Sequence, residues 1–128
     1  MSESGRVGRR MLVVDDETAL CKCLEQFFTL RGFTVTCAFS GEEAIARLND
    51  APVDVVLVDI LLAGIHGIEV LKHAKQLYPR ARVVMITGLE HDDLQAQAAR
   101  HGADAYVIKP FDLDEKTWAT VLQERPTA

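Results

Sequence analysis

Residues 55–59 read Val55, Val56, Leu57, Val58, Asp59: four apolar side chains, three of them β-branched, closed by a carboxylate. Continuous apolarity without the alternation of a half-exposed strand is the pattern of a central strand covered on both faces. Such a strand requires helices above and below it.

Working outward, three more short apolar runs end in polar residues. Met11–Val14 runs into Asp15 and Asp16, Val83–Ile86 into Thr87, and Ala105–Ile108 into Lys109. Thr34–Phe39 instead alternates Val35, Cys37 and Phe39 with smaller or polar residues, which predicts an edge strand. The intervening segments carry helical spacing. Leu20, Cys23, Leu24, Phe27 and Phe28 form one stripe, closed by Gly32. Ser40 and Glu43 have capping-box spacing ahead of Ala44, Ile45 and Leu48. After a turn over Gly64–Gly67, Ile68, Leu71, Ala74 and Leu77 mark a third helix that Pro79 stops. A weakly amphipathic fourth helix, Asp92–His101, is expected to be the most mobile, and Asp112 with Glu115 is expected to cap a fifth. Strands alternating with helices define an α/β fold, a doubly wound five-stranded parallel sheet.

The chain has 128 residues, a net charge of −5 and 48% hydrophobic residues, enough for one domain with a substantial core. The expected division is a flexible lead-in over 1–10, the domain over 11–124 and a tail over 125–128. No apolar run approaches the roughly 18 residues of a membrane helix, and the N-terminal apolar stretch is too short for a secretory signal. Cys21, Cys23 and Cys37 are odd in number and set among apolar residues, which argues for buried thiols in a reducing, cytoplasmic setting. The acidic balance gives no footprint for direct nucleic-acid contact. His66, His73, His91 and His101 are dispersed and form no metal set, and Trp118 is expected in the core.

Sites in such sheets form beyond the carboxyl ends of the strands, where Asp15, Asp16, Asp59, Thr87 and Lys109 all fall. Three carboxylates crowding one rim repel unless a cation sits among them. Oxygen-only ligands favour a hard ion, magnesium first, with manganese as a chemical substitute.

The pieces LVVDDE (12–17), VLVDILLAGIHG (56–67), MITG (85–88) and GADAYVIKPF (102–111), with the spacings between them, resemble the receiver domain of two-component response regulators. The resemblance covers Met11 to about Leu122. It implies the flavodoxin-like strand order 2-1-3-4-5 and Asp59 as phosphoryl acceptor. It also implies magnesium held by Asp15, Asp16, Asp59 and the backbone carbonyl of Leu61. Thr87 and Lys109 would contact the phosphoryl group, Tyr106 would turn as a switch, and a cis Lys109–Pro110 bond would aim the lysine inward. The implied partners are a histidine kinase or histidine phosphotransfer protein as donor, and an effector domain or protein at the face of the fourth helix, fifth strand and fifth helix. A homodimer on activation is a further option. The molecule would be a switch whose only catalysis is self-phosphorylation and slow self-dephosphorylation.

Two features depart from the family pattern: Ala63 and Gly64 replace the usual proline and glycine, and His66 stands where an acidic residue is frequent. The positions that tune phosphate loss hold Leu61 and Leu89, which cannot orient water by hydrogen bonding. The rival reading is a receiver-like interaction module that signals without phosphate. A magnesium phosphatase of similar topology would need a second acid where Leu61 stands.

Overall fold

A computed structural model describes residues 9–62, 64–88 and 92–122. Elements alternate along the chain: β1 (Arg9–Val14), α1 (Thr18–Thr29), β2 (Phe33–Ala38), α2 (Gly41–Asp50), β3 (Val55–Asp59), α3 (Gly67–Leu77), β4 (Arg82–Thr87), α4 (Asp92–Arg100), β5 (Ala105–Ile108) and α5 (Glu115–Leu122). All pairings are parallel, and the order is β2-β1-β3-β4-β5. The doubly wound sheet is therefore as the sequence predicts, with β3 central and the alternating β2 at an edge.

Alternation of side chains along each strand divides the interior into two cores. Leu12, Val14, Val56 and Val58 face α2, α3 and α4, where they meet Leu48, Leu71 and Ala98. Met11, Val13, Val55 and Leu57 face α1 and α5, where they meet Leu24, Phe28 and Trp118. Trp118 is 2% exposed. Its ring meets Phe28 and Phe111 edge to face, and its indole N–H donates to the Asp112 carbonyl at 2.9 Å, so the one polar atom of a core tryptophan is satisfied.

Four local expectations change. First, β1 begins at Arg9, so Arg9 and Arg10 belong to the sheet rather than to a lead-in. Arg9 lies over the Phe33 ring, and the Arg10 amide donates to Asp54 Oδ2 at 2.8 Å. Residues 1–8 and 123–128, with Ala63, Leu89, Glu90 and His91, lie outside the described residues. Second, the buried stripe of α1 runs through Cys21, Leu24 and Phe28, leaving Cys23 exposed, because three- and four-residue steps from Leu24 and Phe28 reach 21 and not 23. Third, Ser40 Oγ accepts the Glu43 amide at 3.1 Å as a cap should, but Glu43 Oε1 reaches past Ser40 to the Phe39 amide at 2.9 Å. Fourth, α5 is capped by Asp114, whose Oδ1 accepts the Thr117 amide at 2.8 Å, and not by Asp112.

Candidate functional site

β1 and β3 run in register, Val14 beside Val58, so the residues that follow, Asp15 and Asp59, come to rest side by side at the carboxyl rim. The backbone continues to order them. The Asp15 amide donates to the Ala38 carbonyl at 3.1 Å, and the Ile60 amide to the Ile86 carbonyl at 3.0 Å, which extends the sheet past the last paired residues. Each carboxylate is then fixed by the turn it starts: Asp15 Oδ1 accepts the Glu17 amide at 2.9 Å, and Asp59 Oδ1 accepts the Leu61 amide at 3.0 Å. Gly67 lets α3 begin directly behind this rim, since a Cβ there would overlap the Asp59 carbonyl oxygen.

The remaining oxygens point at one ammonium. Lys109 Nζ lies 2.8 Å from Asp15 Oδ2, 3.2 Å from Asp59 Oδ2 and 2.9 Å from Glu17 Oε1. The Lys109–Pro110 peptide bond is cis. Burial alone would lower the lysine, but the carboxylates of Asp15, Glu17 and Asp59 outweigh it and hold the ammonium protonated well above its ordinary range. Burial pushes Asp59 up from the usual carboxylate value, and the Leu61 amide and Lys109 only partly offset it.

One atom is left wanting. Asp15 Oδ2 is fully buried and accepts no well-directed hydrogen bond, although the Lys109 ammonium is within ion-pair distance. Oxygens of Asp15, Asp16 and Asp59 lie within 4.8 Å of one another, with Asp16 exposed and the other two buried. An all-oxygen set with a spare buried lone pair fits a hard divalent cation, and the residues present are sufficient to hold one in part, leaving room for water or an anion.

The other predicted residues fall on the same rim. Thr87, fully buried, ends β4, and its carbonyl accepts the Lys109 amide at 2.7 Å, which ties the two residues together. Leu61 has its side chain 43% exposed at the mouth. Tyr106 sits farther down β5 beside Met85, partly buried against the core on the α3 and α4 side. Two residues went unassigned in the sequence. His66, noted in the sequence for standing where an acidic residue is frequent, caps α3 by accepting the Ile68 amide on Nδ1 at 3.2 Å. Glu17 is the third carboxylate on Lys109. Its one sequence signal is its place, a glutamate where a helix usually takes a short capping side chain.

Comparison with known proteins agrees with this geometry. The model for the response regulator receiver domain matches residues 11–119, and the chain belongs to that family. It is 41% identical over 106 residues to the regulatory protein AtoC of Escherichia coli, covering 83% of this chain and 23% of AtoC, so it spans about a quarter of that relative. A response regulator from Burkholderia pseudomallei, solved with a phosphorylated aspartic acid, a calcium ion and citrate, superposes with a TM-score of 0.83 at 27% identity. That match covers 91% of this chain and 67% of the other. A CheY from Borrelia burgdorferi, solved as a CheX-CheY-BeF3-Mg2+ complex, gives 0.77 at 33% identity, covering 90% and 84%. As a receiver domain the chain is a phosphorylation-activated switch, and it carries an acidic cluster able to hold a divalent metal. Among the described residues, no helix is long and apolar enough to cross a membrane.

Proposed function

We propose that Asp59 accepts the phosphoryl group and that magnesium is held by Asp15, Asp16, Asp59 and the Leu61 carbonyl, with manganese as a substitute. The observation that carries this reading is the pair of adjacent carboxylates whose free oxygens converge on one lysine. Asp59 Oδ attacks phosphorus as the bond to the donor breaks, forming an acyl phosphate; from a phosphohistidine the departing imidazole takes up a proton. Lys109 and the Leu61 amide keep the nucleophile in one orientation, which supplies much of the rate help when little covalent chemistry is left to the protein. Lys109 transfers part of its charge pairing to the arriving oxygens, and the Thr87 hydroxyl donates to another. Magnesium, when bound, would neutralise the negative charge that gathers around the transferring group.

The donor in this reading is a histidine kinase or histidine phosphotransfer protein. Movement of Thr87 toward the phosphoryl group opens space into which Tyr106 turns, and the α4–β5–α5 face, with its effector, receives the change. A small described apolar anchor on α4, Ala98 with Leu94 beside it, supports a surface that shifts at low cost. The test is intact mass after incubation with magnesium and acetyl phosphate. Wild type should gain one phosphoryl group and Asp59→Asn none. An unmodified wild type under donor excess would favour a module that signals without phosphate.

A further inference from the structure

Glu17 occupies the N-cap position of α1, with extended backbone, yet its side chain makes no capping hydrogen bond. Serine, threonine, aspartate or asparagine at this position would accept an amide of the first turn, and a helix entrance without such a cap is less stable. The carboxylate is instead committed to Lys109, at 2.9 Å, while remaining 63% exposed. Lys109 has three N–H donors and three carboxylate neighbours, two of them, Asp15 and Asp59, inside the pocket and one, Glu17, at its lip. A phosphoryl group on Asp59 brings new oxygens to the same ammonium, and these compete with the three carboxylates already paired with its one charge. Glu17 is the most exposed and hence the cheapest to displace.

Resting on the reading of Asp59 as acceptor, we propose that Glu17 is a positioning residue that holds part of the Lys109 ammonium outside the pocket, and so brakes phosphoryl uptake. Its contact with Lys109 must be given up before the lysine turns fully to the phosphoryl oxygens. The brake acts through the lysine, and Glu17 touches neither Asp59 nor the transferring group.

Two substitutions separate this from other effects. Glu17→Gln removes the charge. Glu17→Asp keeps the charge, withdraws it by one methylene from Lys109 and supplies a side chain suited to capping α1. The measurements are the rate of mass gain from acetyl phosphate with magnesium, the affinity for beryllofluoride with magnesium by calorimetry, and thermal stability. An exposed ion pair is worth a factor of about two to five, so both variants should take up phosphate about two- to fivefold faster and bind beryllofluoride tighter by a similar factor. Glu17→Asp should also melt no lower than wild type. A merely structural role would lower stability and weaken both activities together. Wild-type rates and affinities in both variants, slower uptake in either, or acceleration by Glu17→Gln alone would overturn the proposal. The last result would mean general repulsion rather than a shared lysine. Asp59→Asn, run alongside, reports on the acceptor itself: if it gains phosphate at the wild-type rate, the reading of Asp59 fails, irrespective of what Glu17 does.

Discussion

Asp15 and Asp59 divide their oxygens in the same way: each gives Oδ1 to the amide two residues ahead and turns Oδ2 toward Lys109, at 2.8 and 3.2 Å. The lysine is thus the counter-charge of two largely buried carboxylates. Replacing it with methionine leaves both without a cation and should cost about 1–3 kcal/mol in urea denaturation at neutral pH. Millimolar magnesium should restore more stability to Lys109→Met than it adds to wild type, because the ion then meets two adjacent carboxylates that have lost their lysine. Equal gains would argue against a shared site.

Asp59 illustrates the opposite pull of stability and function. Its carboxyl is raised in the folded state above the ordinary 3.8, chiefly by burial. The unfolded chain therefore loses this proton first, and stability falls as pH climbs from the unfolded value through the folded one. Without magnesium, Asp59→Asn should melt above wild type at pH 7, with the difference shrinking as pH drops below that window. With magnesium present, the gap should narrow or reverse, since only wild type keeps the full ligand set. Melting curves at several pH values, with and without the ion, check both signs.

Phosphate on wild type should persist far beyond seconds. Leu61 stands at the mouth with an exposed apolar side chain, unable to hold a water in line with phosphorus. Leu61→Asn, which offers both a donor and an acceptor, should shorten the lifetime by ~10-fold, read by the decay of phosphorylated mass after donor removal. An unchanged lifetime would remove Leu61 from control of that step.

Trp118 holds α5 against α1 and the β5–α5 connection through two aromatic contacts, with Phe28 and Phe111, and one hydrogen bond to the Asp112 carbonyl. Trp118→Ala should cost about 3–5 kcal/mol, and Trp118→Phe less, since it keeps most of the ring volume but leaves the Asp112 carbonyl without its indole partner. Urea midpoints order the three proteins.

Strand runs were legible because burial on both faces writes itself as unbroken apolarity, as at Val55–Val58, and because the polar residue that ends each run marks the rim. Helix entrances were less so. Asp112, Asp114 and Glu115 are all acidic, and only the turn geometry decides that Asp114 takes the Thr117 amide. Cys21 and Cys23 look equivalent in the sequence, but the helix phase buries one and exposes the other. Burial pushes the Cys21 thiol up to about 12, which marks it as a core group. The Asp15, Asp16, Asp59 and Lys109 cluster could be anticipated from strand ends. Glu17 could not, because its contact with Lys109 joins residues remote in the chain through a long, exposed side chain. His66 as a cap for α3 escaped for a similar reason: histidine accepts an amide only in one tautomer and orientation, which no spacing announces.

The most direct test of the central claim locates the acyl phosphate itself. Wild-type protein phosphorylated with acetyl phosphate and magnesium is reduced with borohydride, which converts the phosphorylated carboxyl to an alcohol, and its peptides are sequenced by mass spectrometry. The account predicts reduction at position 59 alone. Reduction at Asp15 or Asp16, or a phosphorylated protein with no reduced carboxyl at 59, would contradict it.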